Sequence, residues 1–439
     1  MADATSAVAT YYKHTFPADD VFRFATIHAR DPSDVEVVVT FEGVGCGGGE
    51  IWKRFNACAR AADLRALALG KTNPTLHMGA AYTEAANRAR APGVVPVGKP
   101  LLFDLDVQDL AWLKVDKNDV AANDRAVRLL FGAAHVLKVC LQEMFGFEHF
   151  LPIYSGRRGV HLWVLDQRAW SLSTEARRAI CAALAAPGDG TDDDLGRFGG
   201  LARWPSVSEA CWAAQQRVED EVLFAPRSAG GFGLLDSTAE VDAFVARLFD
   251  VKQDAKYAER TTQLRGKTLR AVGCTKGLEA RAKLVEALEH DVFFQNRLEQ
   301  IVRTLTWPRL DEGASASLTH CAKLPFSLKT ATGRISLPLT HLLPDPTSPR
   351  ALPPLVTCDR LATDNRAAVR VFDVARETLC AAVRAARGDS PVPAKRRATG
   401  DIEDLVAASP DPPRGKSPRG APDADSCSDY GDGWVIREH

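Results

Sequence analysis

Asp104 and Asp106 stand two positions apart in Leu101–Leu110, which reads LLFDLDVQDL. The apolar residues Leu101, Leu102, Phe103, Leu105 and Val107 make this stretch a short buried strand interrupted by two carboxylates. Side chains on a strand alternate faces, so Asp104 and Asp106 share one face while Phe103, Leu105 and Val107 share the other. Two like charges that close repel each other and cost stability unless a positive group sits between them. A divalent metal ion is the simplest such group. A strand with one solvated face is the alternative.

Two further charged clusters offer complementary chemistry. The segment Phe150–Asp166, FLPIYSGRRGVHLWVLD, reads as strand, turn, strand with Ser155–Gly159 at the turn. Val160, Leu162 and Val164 fall on one face, His161 and Trp163 on the other. Arg157 and Arg158 can grip phosphates in fork geometry, with Gly156 and Gly159 leaving room for a ligand against the backbone. A basic surface turn is the competing reading. Downstream, Asp311 lies just past a helix, and His320, Lys323, Lys329 and Arg334 follow within THCAKLPFSLKTATGRISLPL. Lys329–Gly333 reads as a turn and Arg334–Leu339 as a strand. Basic residues spaced along such a segment can line an anionic site, or simply be solvated. Three aspartates with several phosphate-gripping groups suit metal-assisted nucleotidyl transfer. In that reading Asp104, Asp106 and Asp311 hold two magnesium or manganese ions. One activates a sugar 3′-hydroxyl and the other stabilises the leaving pyrophosphate.

The elements that must position these groups are legible along the chain. Residues 8–27 read as helical and carry Tyr11, Tyr12 and Phe16-Pro17. Val35–Phe41 reads as a strand and Glu50–Phe55 as its partner, with Arg54 projecting or merely solvated. Between them, Gly43–Gly49 is a glycine-dense turn without the GK[ST] ending of a phosphate loop. Asn123–Phe145 is an amphipathic helix, capped by Asn123 or Asp124 and ended by Gly146. Residues 171–306 read as a mainly helical insertion ending at Trp307-Pro308, with Leu278–Arg303 as one long helix. Cys358–Ala386 is a last helical segment. From Gly388 the composition turns to Pro, Ser, Asp, Arg and Gly, and residues 388–430 are expected to be disordered. At the very end Asp429–His439 carries Tyr430, Trp434, Val435 and Ile436, either a docking peptide or an inert tail. The expected fold is mixed α/β (α+β). It comprises a catalytic core over 1–170 and 307–387, a helical subdomain over 171–306 and a tail over 388–439.

Bulk properties narrow the class. In 439 residues, 46% are hydrophobic and 25% charged, as in a soluble globular protein. A net charge of −1 excludes a globally basic nucleic-acid binder, so such binding must come from a local patch. None of the ten cysteines forms a CxxC pair, which argues against a sequence-local zinc site and fits a reducing compartment. The first residues lack the apolar core of a signal peptide, and no apolar run approaches the roughly 20 residues of a membrane span. A soluble intracellular protein is expected. Lys395-Arg396-Arg397 is a weak nuclear-type signal.

FDLDVQDL, YSGRRGVHLWVLD and PRLDEGASASLTHCAKLPFSLKTATGRISLP, in this order and spacing, resemble the catalytic small subunit of the archaeo-eukaryotic DNA primase, the eukaryotic form most closely. YYKHTFP and FGFEHFLPIYSGRRGVH are similar to that subunit as well. The resemblance spans most of residues 8–385, weakly over 171–300, and leaves out the tail. It implies a mixed-sheet catalytic core with a helical subdomain. It also implies that Asp104, Asp106 and Asp311 bind the metals. Ser155, Arg157, Arg158 and His161 hold nucleotide phosphates, and His320, Lys323 and Arg54 complete that pocket. Glu36, in VEVVV, matches a glutamate of the active site. The implied activity is synthesis of short RNA primers on single-stranded DNA. The implied partners are a large iron–sulfur subunit and the DNA polymerase alpha complex. The implied place is the nucleus, or a viral replication site if the chain is virus-encoded.

Three departures stand out. Ala111–Asn123 contains no cysteine where eukaryotic forms carry a zinc knuckle, so zinc is doubtful. His77 replaces an aspartate near the nucleotide sugar, which keeps open a primase-polymerase that uses deoxynucleotides. Lys329 replaces a histidine, keeping a positive charge but losing a proton switch. An inactive replication scaffold is the non-enzymatic alternative, and the presence of all three aspartates speaks against it.

Overall fold

The computed structural model describes residues 7–437 except 44–48, 111–112, 114, 117–118, 188–203, 251–254, 330–331, 344–355, 364 and 390–433. Two antiparallel sheets organise the chain. The first contains β1 (Val35–Glu42), β2 (Glu50–Ala57), β3 (Thr75–Tyr82) and β4 (Pro96–Gly98). The second contains β5 (Leu101–Asp106), β6 (Phe150–Tyr154) and β7 (Gly159–Val164). Short strands from far downstream join both. β8 (Ala322–Lys323) pairs with β3, while β9 (Leu328–Lys329) and β10 (Arg334–Ile335) form a ribbon. β11 (Leu337–Pro338) extends the second sheet at β6, and β12 (Trp434–Arg437) extends the first at β2. The mixed α/β expectation is met, and the chain after the helical region returns to both sheets.

The period of two decides which core each side chain enters. From the second sheet, Phe103, Leu105, Val160, Leu162 and Val164 pack with the helix Val120–Phe145 and the helical region. Leu102, Leu151, Ile153 and Trp163 instead pack toward Val37, Val39, Leu76 and Met78 of the first sheet and the helix Arg366–Arg387. The second sheet is thus covered on both faces, and Asp104 and Asp106 follow Leu102 on the face turned to the first sheet. The tyrosines of YYKHTFP are structural. Tyr11 donates to Phe326 O at 2.7 Å and Tyr12 to Pro74 O at 2.8 Å, tying this segment to the turn before β9 and to the residue before β3.

Several expected boundaries move. Residues 8–27 are interrupted at Phe16-Pro17, because proline cannot donate to a continuing helix; a π-turn at Tyr11–Thr15 precedes the helix Ala18–Ala25. The cap of Val120–Phe145 is Asp119, which accepts from Ala122 N at 2.9 Å. Asn123 and Asp124 are spent elsewhere, on the Asp116 and Asp119 carbonyls and on Arg334. Gly146 ends that helix in the left-handed region as expected (φ 63°). Leu278–Arg303 is two helices, Gly277–Ala287 and Val292–Thr306, because Asp291 starts a new one by accepting from Phe294 N. Arg334–Leu339 is split into β10 and β11, which pair with different partners. Cys358–Ala386 is likewise two helices, Cys358–Ala362 and Arg366–Arg387. The expected disorder over 388–430 lies almost entirely outside the described residues, but Trp434–Arg437 beyond it is a paired strand.

Candidate nucleotide-transfer site

β5 and β7 pair in register, with Asp104 opposite His161 and Asp106 opposite Gly159. Their ends open into a cleft of about 210 Å³ facing the first sheet. Asp104, Asp106, Ser155, Arg157, Arg158, Gly159 and His161 line one wall, with Trp52, His77, His320, Lys323 and Lys329 opposite. Eleven of these are residues singled out in the sequence, gathered from four separated segments.

The acidic half is electrostatically loaded. Burial, then the charges of Asp106 and Asp311, push the Asp104 carboxyl up to about 6. Asp311 is therefore within electrostatic reach of Asp104, although it does not line the cleft. It caps the short helix Glu312–Ala316, which packs against β5, and accepts from Ala314 N at 3.1 Å. Asp109 was not anticipated. Burial and Asp106 raise it to about 6 as well, extending the like-charge cluster. Asp106 meets Arg158, whose Nε donates to both carboxylate oxygens at 2.8 and 2.9 Å and whose Nη2 reaches Gln108 at 2.7 Å. Among the described residues, no three carboxylate, imidazole or thiol groups converge as a self-sufficient metal centre. The donor set nonetheless fits a hard divalent cation. Two carboxylates project from one strand face, and the like-charge repulsion on Asp104 is only partly offset by His320 and Lys323. Magnesium commonly takes one or two carboxylates and completes its shell with phosphates.

The basic half is held by backbone. Lys323 is buried and donates to Ser155 O at 2.8 Å; burial, then Lys329, hold its ammonium well below the usual lysine range. Lys329 is lowered too, chiefly by burial. His161 falls to about 3 through burial, then Lys323 and Lys329, so it is a neutral imidazole. Its Nε2 lies 3.6 Å from Asp104 Oδ1, a weak contact in that state, and its Nδ1 is buried without a partner among the described residues. The glycines of the hairpin serve the turn itself. Gly156 has φ 89°, where L side chains are strained. Thr332 donates to its carbonyl at 2.9 Å. Gly159 donates to Ser155 Oγ at 3.1 Å, and a Cβ there would sit 3.2 Å from Leu105 O.

Glu36 and Arg54 sit beside the cleft and do not line it. Glu36 is fully buried in β1 and accepts from Arg54 Nε (2.9 Å), Arg54 Nη2 (3.0 Å), Phe55 N (3.1 Å) and Tyr82 (3.3 Å). The space exists because residue 79 is glycine, where a Cβ would collide with the Glu36 carboxylate. A bulge in the β1–β2 pairing and a left-handed Phe55 (φ 58°) accompany this arrangement. Arg54 also donates to Thr319 O at 3.2 Å. Lys99 grips the same loop. It is fully buried, lowered to about 7 by burial, and donates to His320 O at 2.7 Å and Ser317 O at 3.4 Å. Nothing in its local sequence marks it except a position two residues before a buried strand. Arg334 is neither solvated nor in the cleft: it pairs with Asp124 at 2.7 Å and Tyr154 at 2.9 Å, joining β10 to the long helix.

The family model described as DNA primase small subunit matches residues 103–341, more than half of the chain, and includes every cleft residue except Trp52, His77 and Leu102. The chain belongs to the DNA primase small-subunit family. It is a divergent member. It is 24% identical to the DNA primase small subunit of Schizosaccharomyces pombe over 78% of this chain and 74% of that one. It is 24% identical to that of Drosophila melanogaster, over 75% of each. Identity to the archaeal small subunit PriS of Thermococcus kodakarensis is 33%, confined to 23% of this chain and 29% of that one.

Proposed function

We propose that this chain is the catalytic subunit of a DNA primase and makes short RNA primers on a single-stranded DNA template. One observation carries the reading: the β5 carboxylates and the basic groups of the hairpin and of 320–329 line a single cleft. The reaction is nucleotidyl transfer, in which a 3′-hydroxyl oxygen bonds to the α-phosphorus of a nucleoside triphosphate and pyrophosphate leaves. Asp104 and Asp106 would hold magnesium or manganese, with Asp311 adding negative field behind them. The chemistry supplied there is Lewis-acid stabilisation of the attacking and leaving oxygens. Arg157, Lys323, Lys329 and His320 bind the triphosphate and offset its charge. Arg158 exchanges Asp106 for a phosphate in fork geometry. Neutral His161 offers a hydrogen bond without adding charge. Arg54 and Glu36 hold the loop that carries His320.

Single-stranded DNA, a large iron–sulfur subunit and the DNA polymerase alpha complex are the partners this reading entails, in the nucleus or at a viral replication site. A second reading, extension with deoxynucleotides, draws on one contact. The His77 ring lies 5.1 Å from that of Trp52 in the cleft wall, and burial holds His77 well below the usual histidine range, so that wall is uncharged there. Purified protein with Mn²⁺ or Mg²⁺, template and ribonucleoside triphosphates should yield short oligoribonucleotides. No product, alone or with the large subunit, overturns the proposal. Preferential deoxynucleotide incorporation selects the second reading.

A further inference from the structure

β2 has two edges of different standing. Its inner edge pairs with β1 in the body of the first sheet. Among the described residues its outer edge borders no other strand of the core, and the strand is half-buried along its whole length. An open edge presents unpaired N–H and C=O groups, a template for any extended segment. β12 occupies that edge, setting Trp434 opposite Lys53, Val435 opposite Trp52, Ile436 opposite Ile51 and Arg437 opposite Glu50. Three of its four residues are aromatic or β-branched, the types that favour strands, and the register sets a basic position against an acidic one.

The location matters because β2 supplies part of the cleft. Trp52 lies in the wall against His77, and its Nε1 donates to Glu50 at 3.1 Å. Arg54, two positions on, holds the loop at Thr319. A strand laid along residues 50–53 restrains the backbone from which Trp52 projects.

We propose that the outer edge of β2 is a strand-docking surface whose occupant is the chain's own C-terminal segment, Trp434–Arg437, and that its docking steadies the Trp52 wall of the nucleotide cleft. The consequence for nucleotide binding rests on the function proposed above; the docking itself does not.

The test compares the full-length chain with a chain lacking residues 430–439 and with the full-length double variant Val435→Pro, Ile436→Pro. Proline cannot donate to the ladder, so the pair removes amides on both sides of the added strand. Amide hydrogen exchange across residues 50–53 should accelerate at least about tenfold in both altered chains. The KM for ribonucleoside triphosphate should rise several-fold with kcat held within about twofold, and a peptide of residues 429–439 added in trans should reverse both effects. Unchanged exchange at 50–53 overturns the docking. Accelerated exchange with unchanged KM overturns the coupling to the cleft. A full-length dimer that becomes monomeric in the proline variant assigns the strand to a second copy and overturns the intramolecular occupant. Exchange that accelerates as expected in a protein with no activity under any condition retains the docking and removes the proposed function instead.

Discussion

Two arginine–carboxylate pairs flank the cleft, and they differ in every respect except chemistry. Arg54–Glu36 is closed: the Glu36 side chain is 0% exposed and receives four hydrogen bonds. Arg158–Asp106 is open: both side chains line the cleft, and the carboxylate is 31% exposed. Breaking a buried pair strands a charge without water, whereas an open pair loses little because solvent replaces the partner. The comparison separates architecture from exchangeable chemistry. Glu36 and Arg54 hold the loop at Thr319, while in the function proposed above Asp106 and Arg158 would trade each other for a cation and a phosphate.

The largest effect is expected at the open pair's acidic neighbour. Asp104→Ala should reduce primer synthesis by about 10²–10³-fold or more while the circular dichroism spectrum and melting temperature stay near wild type. Activity surviving that change would detach β5 from the chemistry. Next comes the contrast itself. Glu36→Ala should cost about 3–5 kcal/mol in denaturant unfolding. Arg158→Ala should cost under about 1 kcal/mol but raise the nucleotide KM. Equal stability losses would abolish the distinction. Lys99→Met should lie between them. It should lose about 1–3 kcal/mol, since two carbonyls give up a buried donor, and it should raise KM through a displaced His320.

The smallest effect is a pH dependence. Asp104 is raised from 3.8 to about 6 in the folded chain, so its protonated form is favoured by folding. Its contribution is full below about pH 4 and is lost as pH rises through 6. With a chelator present, Asp104→Asn should therefore gain stability over wild type across that window. The gain should be at most about 1 kcal/mol, because the side chain is 37% exposed. Added Mg²⁺ or Mn²⁺ should reverse the order by stabilising wild type alone. A difference independent of pH would mean that the Asp104 carboxyl is not raised by burial and its acidic neighbours.

Much of the site was legible because it is local. Alternation along β5 put Asp104 and Asp106 on one face, and the YSGRRGVH hairpin with its turn at Ser155–Gly159 formed where expected. What escaped were groups whose role depends on a distant carbonyl or carboxylate. Lys99 reads as an ordinary lysine until Ser317 and His320 arrive beneath it. Arg334 reads as part of a basic stripe until Asp124 claims it. Asp291 broke a helix that hydrophobic periodicity alone extended, because a cap is a single residue and a stripe is an average.

The sequence alone determined the strand and hairpin that carry the charges, their faces and the mixed α/β class, since side-chain period and turn chemistry act over a few residues. Only the tertiary structure decided which charges meet. Pairing of β8 with β3 brought Ala322 and Lys323 to His77 and Met78. Burial of Glu36 was matched by hydrogen bonds from Arg54, Phe55 and Tyr82, and the β2 edge took up a strand from the far end of the chain. The reason is physical. Such contacts depend on the desolvation and hydrogen-bond balance of groups far apart in sequence, which no local period encodes.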